Sequence, residues 1–372
     1  MTVVCKPVVM LPEFVVTQEQ TQELGRRLYA GHPHLEQILS MVRNTGVQKR
    51  YLIRPVDECI EHTGFTHRNQ LFEEHAKNYL PDLVSQALQQ SGLQAEDISL
   101  VTLVSCTGFM MPSLTAWLIN HMGMRPDTKQ LPIAQLGCAA GAAALNGAAD
   151  YCDLRPQSNA LVVAVEFCSL CYQPSDTDIG SLISNGLFGD ALAAAVLRGD
   201  NRGQGLLLHD RTSHLIRGTE SWISYEVRET GFHFRLNKGV ATVIRKSMPT
   251  ISNFIARQGQ SLASLDQYAV HTGGPRILDS LHTHGGVSPY ALRLSRESLE
   301  DHGNIASASV FATLARIADS SPSQGDRTLV AGFGPGITME LAYGTWCADG
   351  AGAPRADDGK GGEPYGVRQV LR

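Results

Sequence analysis

Residues 131–152 read LPIAQLGCAAGAAALNGAADYC, a short apolar strand that turns at once into a helix made almost wholly of Ala and Gly. Such a helix can lie very close to a sheet, because its small side chains keep nothing between the two backbones. Working upstream, "DISLVTLVSCTG" (97–108) is a buried strand entering a polar turn, and "TAWLINHMG" (115–123) is a helix closed by glycine. The order is therefore β-α-β-α. Downstream, "NALVVAVEF" (159–167) and "ALAAAVLRG" (191–199) are two further apolar strands separated by a loop and the turn "GLFGD" (186–190). These complete a mixed sheet with helices on both faces. Nearer the start, residues 18–45 carry helical spacing of apolar positions, and 68–92 form an amphipathic helix ending near Gly92.

The second half repeats this grammar. "LDQYAVHTGG" (265–274) is a strand ending in His271, "PRILDSLHTHGG" (275–286) a helix, "GNIASASVFATLARIAD" (303–319) a long helix, and "RTLVAGFGPGITMELAYG" (327–344) two strands around a glycine-rich turn. The halves read as a pseudo-duplication on element order alone, since no identity between them is visible. The resulting division is 1–210, an N-terminal half with Cys138; 211–347, a C-terminal half with His271 and Asn304; and 348–372, a Gly-, Pro- and charge-rich tail expected to be flexible.

Composition narrows the function. With 372 residues and 43% hydrophobic content the chain fills a sizeable core, and its net charge of -5 offers no basic surface for a phosphate backbone, so nucleic acid is not an expected partner. No apolar run approaches the roughly 20 residues that span a bilayer. The opening "MTVVCKPVVMLPEFVV" lacks a charged region followed by an unbroken apolar stretch, so the expectation is a cytoplasmic protein away from membranes. Eight cysteines are too sparse for a disulfide scaffold. Cys168 and Cys171 form a Cys-x-x-Cys, but no further pair of ligands stands at zinc spacing, so no metal is expected.

Three residues carry chemistry. Cys138 ends a strand and opens a helix, where unpaired amides and the helix dipole would stabilise a thiolate. A core cysteine is the competing reading. His271 ends an apolar strand before a flexible "TGG", the kind of strand end where α/β folds place catalytic groups. Asn304, between a glycine and a small-residue helix, offers an amide donor, with a helix N-cap as its alternative use. Together they suggest that a thiolate paired with an imidazolium attacks a thioester. The His and the neutral Asn amide then stabilise an enolate formed when a malonyl group loses carbon dioxide.

"QLGCAAG", "VHTGGPRIL", "GNIAS" and "GFGPGIT" (332–338) arrive in an order and spacing that resemble the type III polyketide synthases, over about residues 5 to 346. The resemblance implies an α/β thiolase fold of five layers, α-β-α-β-α, with two pseudo-duplicated halves, and a homodimer whose cavity is reached by a CoA tunnel. It implies malonyl-CoA as substrate, no acyl carrier protein and no cofactor. Similarity is sharpest to the bacterial subgroup making 1,3,6,8-tetrahydroxynaphthalene, through "SCTGFMMPSLTAWLIN", "QLPIAQLGCAAG", "EFCSLCYQPSD", "NGLFGDAL" and "WISYEVRETGFHF". In that alignment Cys106, Cys168 and Cys171 replace threonines of the plant chalcone synthases, and Tyr225 replaces a glycine. Tyr225 would shrink the starter pocket toward a malonyl or acetyl unit, and its hydroxyl can bond a carboxylate.

The same resemblance makes Phe188 and Phe234 aromatic gatekeepers and sends Met111 across the dimer interface into the partner cavity. It adds Ala306, Gly334, Pro335 and Gly336 to the cavity and makes Lys49, Arg50 and Arg54 of "VQKRYLIR" candidates for the CoA phosphates. Within the family, a phloroglucinol-type synthase and an acyl-primed alkylpyrone-forming enzyme are the rivals. Outside it, an initiating ketoacyl synthase would need a carrier protein and is opposed by "GFGPG" and the paired phenylalanines. Hydroxymethylglutaryl-CoA synthase would need a catalytic carboxylate, and no Glu is read in a matching strand-end motif.

Overall fold

The chain enters through three short strands, β1 (Thr2–Val4), β2 (Val8–Met10) and β3 (Phe14–Thr17), in a computed structural model that describes residues 1–61 and 64–348. Thr17 then caps α1 (Gln18–Leu28): its hydroxyl accepts from the Gln20 amide, while the Gln20 side chain accepts from the Thr17 N–H. Where the sequence read one helical stretch over 18–45, two helices form, because Pro33 interrupts the chain before α2 (Leu35–Arg43). Next come β4 (Lys49–Leu52), the short α3 (Val56–Ile60) and α4 (Gly64–Ser91), which ends at Gly92 with φ +67° as the helix reading required.

The first α/β unit follows as β5 (Ile98–Val104), α5 (Leu114–His121), β6 (Lys129–Ile133), α6 (Ala140–Asp153), β7 (Asn159–Phe167), α7 (Ile179–Leu187) and β8 (Asp190–Arg198). A long strand, β9 (Gly205–Leu215), leads to the hairpin β10 (Ile223–Arg228) and β11 (Gly231–Leu236). The second unit is α8 (Val240–Ala256), β12 (Gln267–Val270), α9 (Pro275–Thr283), α10 (Arg293–His302), α11 (Ser309–Asp319), β13 (Arg327–Gly334) and β14 (Thr338–Cys347). The boundary expected at 210/211 falls inside β9 rather than in a linker. Apart from Ala348, the expected flexible tail lies outside the described residues.

The main sheet runs β12-β13-β14-β9-β1-β8-β7-β5-β6, with β2 added on β8. Its two halves share a pattern. β5–β7 is parallel and β7–β8 antiparallel, as β12–β13 is parallel and β13–β14 antiparallel. Strand alternation sorts the residues into layers. In β7, Leu161, Val163 and Val165 join the α4 and α5 core, whereas Ala160, Val162 and Ala164 join the core of α6 and α11. In β13, Leu329 and Ala331 face α8 and α9, and Val330 faces the α6 and α11 side. The central pair is thus sandwiched between the sheet halves, giving the five layers of a thiolase fold, and the alanines of "ALAAAVLRG" are what let it fit. Among the described residues no helix is long and apolar enough to cross a membrane.

Candidate active site

Cys138 stands in the middle of a 3-10 turn, Gly137–Ala139, that joins β6 to α6. Glycines set this turn's packing. Gly137 has φ +49°, and a Cβ on it would fall 2.7 Å from Pro335; one on Gly334 would fall 2.6 Å from the Ala139 nitrogen; one on Gly141 would fall 2.1 Å from the Ser307 carbonyl. Gly334 and Pro335, expected to line the cavity, instead buttress the nucleophile's turn. Gly336, with φ +64°, closes the strand turn behind them, and its carbonyl accepts from the Thr219 hydroxyl at 3.0 Å.

Asn304 is not an N-cap. The expected helix over 303–319 begins only at Ser309, and Asn304 sits in an isolated parallel bridge with Phe188. Its N–H donates to Leu187 O (2.9 Å) and its carbonyl accepts from Gly189 N (3.1 Å). Its Oδ1 accepts from the Ala306 N–H at 3.0 Å, which leaves the NH2 end as the group through which Asn304 favours the Cys138 thiolate. Ala306 reaches that contact with φ +46°. His271 follows β12 directly, and its N–H donates to Ala331 O on β13 at 2.8 Å. The next residue of β13, Gly332, lies against Ala139 and Ala142, beside the Cys138 turn. Gly273 leaves room at the ring, since a Cβ there would fall 3.0 Å from His271 Nε2.

Burial acts against both charges that the sequence suggests for this site. Removal from water pushes the Cys138 thiol up to about 12, helped by the Glu166 carboxylate and opposed by the Asn304 amide and the Cys138 backbone N–H. Burial alone pulls His271 down to about 4, and its Nδ1 has no partner. Burial therefore works against both the thiolate and the imidazolium, and at Cys138 it outweighs the donors that would favour the anion. A neutral ring can donate a hydrogen bond to an enolate without surrendering a proton to it.

Glu166 is the residue the sequence reading missed. It is the penultimate residue of β7, is 0% exposed, and accepts from the Cys106 N–H (3.1 Å), Cys106 Sγ (3.4 Å), Thr107 Oγ1 (3.3 Å) and Ser307 Oγ. Burial raises its carboxyl to about 7 against those four donors. A lone Glu in "VVAVEF" was the available signal. Burial, and after it the Glu166 charge, also raises Cys106, Cys168 and Cys171.

The remaining candidates converge in part. Cys168 and Cys171 open and close one 3-10 turn, held by Asp190, which accepts from Ser169 N (2.7 Å), Ser169 Oγ (2.5 Å) and Ile53 N (2.9 Å). The Tyr225 hydroxyl is the group that most favours a thiolate at Cys171, against burial, and its ring stacks on Phe232 and meets Phe234 edge-on. Phe234 in turn makes a T-shaped contact with Phe188, ring centroids 5.4 Å apart. A mostly apolar cavity touches Cys168, Cys171, Phe188, Tyr225 and Phe234, continues between α1 and α2, and stops short of Cys138, His271 and Asn304. Met111 projects outward, 86% exposed. Among the described residues no three His, Cys, Asp or Glu side chains gather as a metal site, and all eight cysteines are free.

The expected phosphate cluster comes apart. Lys49 and Arg54 are at the surface, beside Asp301 (3.9 Å) and Glu58 respectively. Arg50 points inward and is spent on protein acceptors, so it is unavailable to a phosphate.

The sequence matches the family model for the chalcone and stilbene synthases, N-terminal domain, over residues 9–201 and the model for their C-terminal domain over 207–343. It is 50% identical to a 1,3,6,8-tetrahydroxynaphthalene synthase of Streptomyces griseus over 354 residues, 95% of each chain. It is 44% identical to a phloroglucinol synthase of Pseudomonas fluorescens over 350 residues, 94% of this chain and all of the other. The crystal structure of 1,3,6,8-tetrahydroxynaphthalene synthase from Streptomyces coelicolor A3(2), a bacterial type III polyketide synthase, superposes with a TM-score of 0.90 at 50% identity, covering 92% of this chain and 99% of that one.

Proposed function

Since the chain belongs to the chalcone and stilbene synthase family, we propose that it is a type III polyketide synthase that condenses malonyl-CoA, as starter and extender, and cyclises the pentaketide to 1,3,6,8-tetrahydroxynaphthalene. The observation that carries the chemistry is the Asn304 amide, whose oxygen is occupied by Ala306 and whose NH2 end is aimed at the Cys138 sulfur. An amide held this way is a donor at the place where an enolate oxygen would develop.

In this reading the Cys138 sulfur attacks the malonyl-CoA thioester as its proton passes to His271, and CoA leaves as the thiol, taking that proton. The two ions arise together, so each supplies the counter-charge that burial denies the other. An extender malonyl-CoA then loses carbon dioxide, and its enolate oxygen is held by His271 and Asn304. The enolate carbon forms the new C–C bond at the Cys138 thioester, the C–S bond breaks, and the thiolate is free to accept the lengthened chain. No cofactor and no acyl carrier protein takes part. Lys49 and Arg54 remain the candidates for CoA phosphates. Met111, exposed on a lone chain, is the side chain we assign to the partner cavity of a cytoplasmic homodimer.

The phloroglucinol reading stands second, supported by the 44% identity. Malonyl-CoA as sole substrate separates the two by product mass. Tetrahydroxynaphthalene, oxidising in air to coloured flaviolin, is the expected outcome. A triketide product, or product only after a long acyl-CoA is added, overturns it.

A further inference from the structure

Arg50 is 6% exposed, and its guanidinium donates through Nη1 to the carbonyls of Asn185 and Phe188, both at 2.8 Å, and through Nη2 to Thr21 Oγ1 at 2.9 Å. Asn185 lies in the last turn of α7 and Phe188 just beyond it, where carbonyls lack intrahelical partners and the dipole is negative. Nη1 alone serves both oxygens while Nη2 is anchored on Thr21, a planar three-point arrangement that a lysine ammonium on a flexible stem does not hold. Burial pulls Arg50 down only to about 10, with Asp190 opposing the fall, so the cation persists at neutral pH.

The end of α7 that Arg50 holds is also the segment that holds Asn304. Leu187 O accepts from Asn304 N, Gly189 N donates to Asn304 O, and Phe188 lies opposite Asn304 in the bridge. The stem of Arg50 has little freedom. A Cβ on Gly303 would fall 3.0 Å from its Cγ, and one on Gly189 would fall 3.4 Å from its Cβ. Every link from Arg50 to Asn304 is therefore a hydrogen bond or a tight backbone contact.

We propose that Arg50 is a positioning residue: by pinning the carbonyls of Asn185 and Phe188 it fixes the end of α7, and through the Phe188–Asn304 bridge it aims the Asn304 amide at Cys138. It also sets where the Phe188 ring meets Phe234. The proposal deepens the polyketide synthase reading and rests on its assignment of Cys138 and Asn304.

The test uses Arg50→Met and Arg50→Lys in the full chain, each first checked for cooperative thermal unfolding. One measurement is kcat and KM for malonyl-CoA. The other is the pH dependence of iodoacetamide alkylation at Cys138, read by mass on its own peptide. The expected result is a fall in kcat of roughly 10- to 100-fold with KM within about threefold of the parent. The alkylation profile should move to higher pH, because a thiolate that loses the Asn304 donor is less stabilised. If the Met variant does not fold, the Lys variant keeps a buried cation and carries the same readouts. A large rise in KM with kcat and profile unchanged would mean a phosphate contact and overturn the proposal, as would a folded Met variant identical to the parent. Alkylation consumes no CoA thioester, so a chain that makes no polyketide refutes the function while the profile still judges Arg50.

Discussion

Cys138 and the cysteines that face it across the site occupy walls of different construction. The Cys138 wall is backbone against backbone: Gly137 on Pro335, Gly141 on the Ser307 carbonyl, Gly334 on Ala139. The opposite wall presents Cys168 and Cys171 from a 3-10 turn and Tyr225 from a two-stranded hairpin, and side chains hold it in place. Asp190 grips the turn through Ser169, Gln173 Nε2 donates to Thr230 O and Phe232 O, and the His233 ring meets Asp176 at 2.9 Å. A wall fixed by absent side chains tolerates almost no change, whereas a wall fixed by side-chain bonds can be refilled. Reaction chemistry should therefore be brittle and substrate choice plastic.

The largest effect that tests this contrast is at the nucleophile. Cys138→Ala should lower product formation by at least about a thousandfold, with no acyl mass on the protein after incubation with malonyl-CoA. Residual acylation at another cysteine would break the assignment of the chemistry to this wall. Asn304→Ala should slow carbon dioxide release from malonyl-CoA by roughly 100- to 1000-fold, the usual cost of a lost oxyanion donor. Loading of Cys138 should suffer far less, since that step does not form the enolate.

Gly141→Ala probes the backbone wall without touching a reacting atom. Its Cβ would have to displace the Ser307 carbonyl, for a loss on the order of 2 kcal/mol in thermal or urea unfolding and a large loss of turnover. Cys168→Ala, on the side-chain wall, should leave stability within about 1 kcal/mol and alter the product mixture instead. Equal tolerance at the two positions would remove the distinction.

The two walls also differed in how far the sequence disclosed them. Cys138 could be read because a strand, a turn and an Ala/Gly helix are local patterns whose period and side-chain size carry the geometry. His271 was legible in the same way, at the end of an apolar run, and stands directly after the strand rather than in it. Asn304 was found, but its bridge to Phe188 joins residues 116 positions apart and no local pattern announces it. Arg50 was misplaced because charge next to charge in "KRYLIR" reads as surface, and only the packed fold shows a guanidinium turned into the end of α7. Glu166 was passed over because its four donors come from Cys106, Thr107 and Ser307, brought together only by the sheet and the central helix layer. The depressed imidazole and raised thiol were equally hidden, since desolvation depends on what surrounds a group.

Glu166 lies between the walls, so its charge can be removed while both stay packed. Its carboxyl titrates near 7 in the fold against an ordinary value of 4.5. The native state thus keeps a proton that the unfolded chain gives up, and stability contributed by this group falls as pH rises from about 4.5 to 7, by on the order of 3 kcal/mol. Glu166→Gln should flatten that slope when unfolding is compared at pH 5 and pH 7.5. Above pH 7, where the parent carboxylate is charged, the variant should also alkylate faster at Cys138, by a few-fold, because the neighbouring negative charge that opposes the thiolate is gone. An unchanged alkylation rate would place Glu166 with the second wall alone.

The smallest effect belongs to Tyr225→Phe. The ring keeps its stack on Phe232 and its edge contact with Phe234, and only the hydroxyl beside Cys171 is lost. A single hydrogen bond to a neutral thiol is worth about 1 kcal/mol or less, so stability should barely move. The informative readout is competition between malonyl-CoA and acetyl-CoA as starters. If the hydroxyl reads the malonyl carboxylate, the Phe variant shifts toward acetyl priming by roughly fivefold, the equivalent of that one bond. If Tyr225 acts by volume alone, Phe keeps the parent preference while Tyr225→Gly abandons it. Either result leaves Cys138 loading intact, because the side-chain wall selects what the backbone wall then processes.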